Sequence, residues 1–84
     1  MFPASELRLS LQILVHAMVD QPTEVAVTHQ EERGGVIRYR IQVAQNDRGK
    51  MIGANGRNAR ALRILLHAAG MRYGRTTALD IEGC

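Results

Sequence analysis

Apolar and polar residues follow two different periods along the chain, and these periods predict its secondary structure. From Ser5 to Val19 apolar residues recur every three or four positions, which predicts an amphipathic helix with Ser5 as its N-cap. Glu24–Gln30 and Val36–Val43 instead alternate with a period of two. The polar turn Glu31–Gly35 lies between them, so the pair predicts a β-hairpin.

The second half of the chain returns to helical spacing before it ends in another alternating segment. Asp47–Ile52 predicts a helix of little more than one turn that ends at Gly53. Arg57–Ala69 predicts a longer helix with Gly70 as its left-handed cap. Thr76–Ile81 alternates and predicts a third strand. The predicted order is helix, strand, strand, short helix, helix, strand, which is an α+β fold.

Both the second strand and the long helix have two chemically distinct faces. One face of the strand is apolar, with Ile37, Tyr39, Ile41 and Val43. The other face carries Arg38, Arg40 and Gln42. We therefore expect helices to pack on one face of the sheet and water to contact the other. In the long helix the predicted buried arc contains Leu62, Leu65, Leu66 and Ala69. The opposite arc contains Arg57, Arg60, Arg63 and His67.

Length and charge narrow the classes of function. With 84 residues the chain has room for one domain and not for a two-domain enzyme. Eleven basic residues against eight acidic ones give a net charge of +3. The segment from Arg48 to Arg75 holds seven cations and no carboxylate, which indicates a surface for phosphates or for an acidic partner. Ten of the eleven cations are arginine, whose planar fork binds phosphate bidentately.

Other classes of protein find little support in the sequence. Cys84 is the single cysteine, so no intramolecular disulfide can form, and with no signal-like or membrane-spanning apolar run we expect a cytosolic protein. Histidine and cysteine show no close ligand pair, so we expect no metal or other cofactor. Gly49-Lys50 is followed by Met51 and makes no Walker A loop. Asp80 and Glu82 lack a nucleophile or histidine partner, and we expect no enzyme.

A Gly-x-x-Gly loop, Gly53-Ala54-Asn55-Gly56, joins the short helix to the long basic one. Glycine permits backbone angles closed to other residues and lets a ligand approach the backbone closely. The loop also presents the N-terminus of the long helix, where unpaired N–H groups attract phosphate. Lys50, Arg57 and Arg60 flank the same point. A Gly-x-x-Gly pattern by itself is common at ordinary turns between helices. Its position inside an uninterrupted basic stretch favours a ligand site.

This arrangement resembles a KH domain, an RNA-binding family whose Gly-x-x-Gly loop contacts about four single-stranded nucleotides. The resemblance covers nearly the whole chain. It is carried by Gly49-Lys50-Met51-Ile52-Gly53-Ala54-Asn55-Gly56-Arg57 and continues through Asn58-Ala59-Arg60-Ala61-Leu62-Arg63. The leading helix and strand make it similar to type II members with one parallel strand pair, and above all to small single-domain bacterial ones. It implies one domain over residues 1–84, with an extension at 1–30, a core at 36–81 and the loop at 53–56.

The resemblance also implies a function and a set of contacts. It implies non-catalytic binding of single-stranded RNA by a bacterial RNA chaperone or post-transcriptional regulator. The RNA backbone would contact residues 53–56, beside a narrow groove floored by Ile52 and bounded by the second strand. Lys50, Arg57 and Arg60 would supply positive charge. Ala54 and Asn55 are neutral where the family usually has a Lys or Arg, which implies weaker phosphate binding.

A protein-interaction module is the alternative. Ile64 is an apolar residue on the basic side of the long helix, where a solvated or RNA-binding face does not need it. In this alternative RNA binding would be weak or absent. The resemblance itself implies a homodimer, or a heterodimer with a larger KH-containing bacterial protein. The two functions can coexist. They differ in salt dependence, because phosphate binding weakens with ionic strength whereas an apolar dimer persists.

Overall fold

Three α-helices and a three-stranded sheet make up the computed structural model, which describes residues 2–82. The elements are α1 (Ala4–Met18), β1 (Ala26–Glu31), β2 (Ile37–Gln42), α2 (Arg48–Ile52), α3 (Arg57–Arg72) and β3 (Thr77–Ile81). Short 3₁₀ turns lie at 22–24, 33–35, 45–47 and 54–56. The predicted α+β class and element order are confirmed. Cys84, interpreted above from its oxidation chemistry, lies outside the described residues.

The sheet has the order β1-β2-β3, with β2 in the centre. β1 and β2 are antiparallel, and Val27 lies opposite Ile41. β2 and β3 are parallel, and Tyr39 lies opposite Leu79. A parallel pair requires a crossover connection, and α2, the loop and α3 form it here. The parallel pair that the resemblance implied is therefore present.

One face of the sheet forms the core with the three helices. Ile37, Tyr39, Ile41 and Val43 are all buried, as their alternation predicted. The Tyr39 hydroxyl donates a hydrogen bond to the Ala4 carbonyl at 2.9 Å, which ties the start of α1 to the central strand. Because burial disfavours the phenolate, the pKa of Tyr39 is raised above its usual value.

The opposite face of the sheet is polar. There Arg38 forms ion pairs with Glu32 at 2.8 Å and with Asp80 at 3.2 Å. The hydrogen bond that Arg38 donates to the Glu32 carboxylate is the main reason that the pKa of Arg38 is raised. The prediction of a solvated sheet face is confirmed.

The helix ends differ from the sequence-based prediction. α1 begins at Ala4 after Pro3 without a side-chain cap, so Ser5 is not its N-cap. α3 continues through Gly70 to Arg72, so Gly70 is not its cap either. Gly74, with φ +68°, supplies the left-handed residue that follows the helix.

Gly70 is required for another reason, because the chain passes close to it between the end of α3 and the start of β3. The Arg75 amide donates to the Gly70 carbonyl at 2.8 Å. A Cβ atom on Gly70 would lie 2.6 Å from the Arg75 carbonyl oxygen and 3.0 Å from Cγ2 of Thr77. Glycine at this position therefore allows β3 to begin directly against the end of α3.

The buried stripe of α3 is narrower than predicted. It contains Ala59, Leu62, Leu66 and Gly70. Leu65 was predicted to belong to the buried arc, but it is 57% exposed. Leu65 lies beside the row of buried side chains and not within it. Ile64 is 61% exposed, as predicted for a residue outside the core.

None of the helices within residues 2–82 is long and apolar enough to cross a membrane.

Gly70→Ala should destabilise the fold, because the added methyl group would overlap a backbone oxygen that cannot move without displacing β3. We expect a loss of about 1–3 kcal/mol in the free energy of unfolding, the usual cost of overpacking. Urea denaturation followed by circular dichroism measures it.

Gly49→Ala is the matched control, because Gly49 is helical and a Cβ there would meet nothing within 4 Å. It should stabilise the protein by about 0.5–1 kcal/mol through the higher helix propensity of alanine. Equal stability of the two variants would contradict the close return of the chain at Gly70.

Candidate nucleic-acid interface

The Gly-x-x-Gly loop turns the chain between α2 and α3 through three residues with positive φ. Gly53 has φ 76° and ψ 172°, a region essentially restricted to glycine. Asn55 (φ 57°, ψ 28°) and Gly56 (φ 72°, ψ 18°) are left-handed. Asparagine tolerates this conformation better than most residues. The composition of the loop thus matches the backbone it must adopt.

The amides of the loop divide into two groups. The Gly53 amide donates to the Gly49 carbonyl at 2.8 Å and the Gly56 amide to the Gly53 carbonyl at 3.1 Å. Within residues 2–82, the Ala54 and Asn55 amides have no hydrogen-bond partner, and both residues are exposed. The donors left for a ligand are therefore the two middle amides, because α2 occupies the Gly53 amide and the 3₁₀ turn occupies the Gly56 amide.

Asn58 is a residue of this site that the sequence did not single out. Its side-chain nitrogen donates to the Lys50 carbonyl at 2.7 Å, bridging the first turn of α3 to α2. A Cβ on Gly53 would lie 2.8 Å from Cγ of Asn58. The available signal was an asparagine in the first turn of a helix, where its side chain readily bonds nearby backbone.

The cations around the loop differ in availability. Arg57, Arg60 and Arg63 are exposed, and none of them forms an ion pair within the described part of the chain. Lys50 forms an ion pair with Asp20, and its Nζ lies 3.8 Å from Oδ1 of Asp47. The hydrogen bond to Asp20 is the main reason that the pKa of Lys50 is raised. A phosphate approaching Lys50 would compete with this carboxylate.

Asp47 anchors the base of the site. The residue is 1% exposed, and its two side-chain oxygens accept hydrogen bonds from the Asp20 amide at 3.1 Å and the Gln21 amide at 3.0 Å. Asp47 directly precedes α2 but makes no side-chain capping bond with it. It instead caps the chain that leaves α1, which fixes α1 relative to α2.

A groove of about 190 Å³ lies between the cationic side of α3 and the edge of the sheet. Its lining residues are Arg63, Leu66, His67, Thr77, Ala78 and Leu79. The resemblance implied a groove bounded by the second strand. The strand that borders the groove found here is β3, and the lining includes neither Ile52 nor a residue of the loop. The groove that the resemblance implied beside the loop therefore stays a prediction. Ile52, the implied floor of the groove, is half-buried beside the fully buried Met51.

Metal chemistry has no site in the part of the molecule that is described. No group of three or more His, Cys, Asp or Glu residues within 2–82 is arranged to hold a metal ion.

A mixed sheet with all helices on one face and a Gly-x-x-Gly loop between the last two helices defines a KH domain of the type II order. The family model described as "KhpA/KhpB, KH domain" matches residues 9–81. The chain therefore belongs to the KhpA/KhpB family of KH domains.

The chain is similar to several proteins that carry the name "RNA-binding protein KhpA". The one from Streptomyces coelicolor is 40% identical over 73 residues, covering 87% of this chain and 91% of the relative. The one from Listeria monocytogenes is 37% identical over 68 residues, covering 81% and 88%. The one from Treponema pallidum is 47% identical over 68 residues, covering 81% and 84%.

Gly53→Ala should disrupt the loop more than Gly56→Ala does. At Gly53 the new methyl group would enter a glycine-only conformation and overlap Asn58, at a cost of at least about 2 kcal/mol. At Gly56 it would meet nothing within 4 Å, which leaves the left-handed backbone penalty of about 1 kcal/mol. Urea unfolding of both variants measures the difference, and equal losses would show that Asn58 does not pack against Gly53.

Proposed function

We propose that this protein binds single-stranded RNA without catalysis, through the Gly-x-x-Gly loop at residues 53–56. The observation that carries the proposal is that the exposed residues Ala54 and Asn55, beside Arg57 and Arg60, have backbone amides without a hydrogen-bond partner among residues 2–82. The relatives named RNA-binding protein KhpA support the same ligand.

The chemistry of the loop fits a sugar-phosphate backbone. Two neighbouring amides can donate to the oxygens of one phosphate, and the glycines on either side keep side chains away from the approaching chain. The loop immediately precedes the N-terminus of α3, a helix of 16 residues, whose dipole favours an anion at that end. Arg57 and Arg60 add charge to the same end of the helix.

The bases must be recognised without extensive stacking. Aromatic residues make up 4% of the chain. Phe2 and Tyr39 are buried, and Phe2 packs edge-on against Tyr73 with ring centroids 5.7 Å apart. These rings offer no stacking platform on the sheet. Van der Waals contact and base-edge hydrogen bonds in a groove beside the loop, with Ile52 in its floor, fit this composition better.

The neutral residues between the glycines limit the affinity. Charge for the RNA comes from Arg57 and Arg60, and from Lys50 once its ion pair with Asp20 opens. One such module contacts few nucleotides, so modest affinity and low sequence preference follow. We infer that the protein acts in the bacterial cytoplasm as an RNA chaperone or post-transcriptional regulator, with residues 1–84 as one KH domain.

Converting Ala54 and Asn55 together to Asp should abolish RNA binding. Two carboxylates beside a phosphate should weaken affinity at least about a hundredfold, since like charges in an interface cost several kcal/mol. Fluorescence anisotropy with short single-stranded RNA at several salt concentrations measures the affinity. For wild type, each phosphate contact should add about 0.7 to the slope of log affinity against log salt.

Gln45→Asp combined with Asn46→Asp is the control, because both residues are exposed and the change in charge is the same. This variant should retain most of the affinity. Equal binding by the loop variant and wild type would rule out the loop as the RNA site.

A second function, self-association, is favoured by an apolar groove between α1 and α3. The groove is lined by Leu7, Ser10, Leu11, Leu14, Leu65 and Leu66. Ile13 and Ile64, which belong to the same two helices, are 71% and 61% exposed. An exposed apolar surface of this kind marks protein contacts. We propose that a second copy of the chain covers it, and a larger KH-containing protein of the KhpB type is the alternative partner.

RNA binding and self-association are compatible, because the apolar groove and the loop involve different residues. A dimer presents two loops to one RNA. The second loop then binds at a high effective concentration, which raises the overall affinity without any new contact. Pairing would thereby offset the modest affinity of a single loop.

Leu65→Lys should convert a dimer of the wild type into a monomer, because it places a charge in the middle of an apolar contact. Analytical ultracentrifugation at low and high salt measures the mass, and the wild-type dimer should persist in high salt. Met71→Lys is the control, because Met71 is equally exposed on α3 but does not line the groove. A monomeric wild type at all concentrations would contradict self-association.

A further inference from the structure

We propose that Asn58 is a positioning residue for RNA binding, and that its hydrogen bond to the Lys50 carbonyl, here called the clasp, holds the Gly-x-x-Gly loop in the shape that exposes its middle amides. This inference rests on the proposed function, since it concerns the same loop. The clasp is 2.7 Å long and joins α2 to α3 across the loop.

The clasp replaces a hydrogen bond that a longer α2 would make. The last such bond of α2 runs from the Gly53 amide to the Gly49 carbonyl at 2.8 Å. The next in the series would join the Ala54 amide to the Lys50 carbonyl. It is absent because Gly53 turns the chain out of the helix, and Asn58 donates to that carbonyl instead. Asn58 therefore satisfies Lys50 and leaves the Ala54 amide available for a ligand.

The loop needs an external support of this kind. Three of its four residues have positive φ, and one backbone hydrogen bond, from the Gly56 amide to the Gly53 carbonyl at 3.1 Å, closes it internally. Without Asn58, the Lys50 carbonyl would lack its donor and the Ala54 amide would be the nearest one in sequence. Extension of α2 by one residue would then withdraw that amide from the surface.

Packing couples Asn58 to the first glycine. The Asn58 side chain occupies the space that a Cβ on Gly53 would need, with Cγ at 2.8 Å and Nδ2 at 2.9 Å from that position. The glycine thus has two roles, since it adopts the unusual backbone angles and it also admits the side chain that holds them.

The carbonyl end of the clasp is itself fixed to the rest of the fold. The Lys50 ammonium is paired with Asp20, and Asp47 binds the amides of Asp20 and Gln21. These contacts hold α2 against the end of α1, and the clasp in turn holds the loop against α2.

Asn58→Leu and Asn58→Ala test the clasp. Leucine keeps most of the bulk against Gly53 but cannot donate, whereas alanine removes both. We expect each variant to bind short single-stranded RNA about three- to tenfold more weakly than wild type, which corresponds to the loss of one hydrogen bond. The salt slope should stay unchanged, because no cation has been removed.

Amide hydrogen exchange measured by NMR separates positioning from general destabilisation. In both variants the Gly53 and Gly56 amides should exchange faster, while those of Tyr39 and Ile41 in the central strand keep their wild-type rates. Asn46→Ala is the matched control, because Asn46 is an exposed asparagine whose side chain forms no hydrogen bond within residues 2–82. It should change neither affinity nor exchange.

The outcomes distinguish this inference from the proposed function. Failure of wild type to bind RNA would remove the proposed function, and exchange at Gly53 and Gly56 would still decide whether the clasp holds the loop. Wild-type affinity in Asn58→Leu, or faster exchange throughout the core in both variants, would overturn the positioning role.

Discussion

The parallel pairing of β2 with β3 is the constraint on which the rest of the structure depends. A chain leaving the end of β2 must return to the other end of the sheet before β3 can run alongside in the same direction. Helix α3, of 16 residues, covers that return distance and packs its buried stripe on the sheet. The reversal before it falls between α2 and α3, beyond the end of β2. The Gly-x-x-Gly loop is thus placed at the surface by topology, and Gly70 lets β3 begin directly against α3.

In the loop between α2 and α3, the protein itself supplies hydrogen-bond partners for most of the backbone groups. The last bond of α2 uses the Gly53 amide, the 3₁₀ turn uses the Gly56 amide, and Asn58 supplies a donor to the Lys50 carbonyl. The amides of Ala54 and Asn55 have no partner in the described part of the chain, and both residues are exposed. A buried amide in this state would be costly, whereas an exposed one can exchange water for a phosphate oxygen. The site is therefore a consequence of how the loop closes, with nearby arginines adding attraction that does not depend on precise geometry.

The outer surfaces of the helices include a cationic region and an apolar region. Arg57, Arg60 and Arg63 are exposed along one side of α3, and Leu65 with the apolar residues of α1 lines another. On the polar face of the sheet, Arg38 forms ion pairs with Glu32 and Asp80. Arg38 is therefore already paired within the protein, whereas the exposed Arg40 on the same face forms no ion pair within residues 2–82. The exposed arginines of α3 and the surface proposed for self-association thus both lie on the helical side.

The sequence by itself determined the order of elements, the two faces of β2 and the position of the loop, because periodicity and glycine placement are local properties. Local spacing also predicted Leu65 as buried and Gly70 as a cap, and both predictions were wrong. Burial in α3 depends on which side of the helix faces the sheet. Gly70 must be glycine because the backbone of Arg75 lies close to it once the chain has turned back toward the sheet. The partners of Asn58, Asp47 and Lys50 were likewise decided by the tertiary structure. A hydrogen bond or ion pair between separate elements exists only once those elements have packed, and no residue pattern within one element contains it.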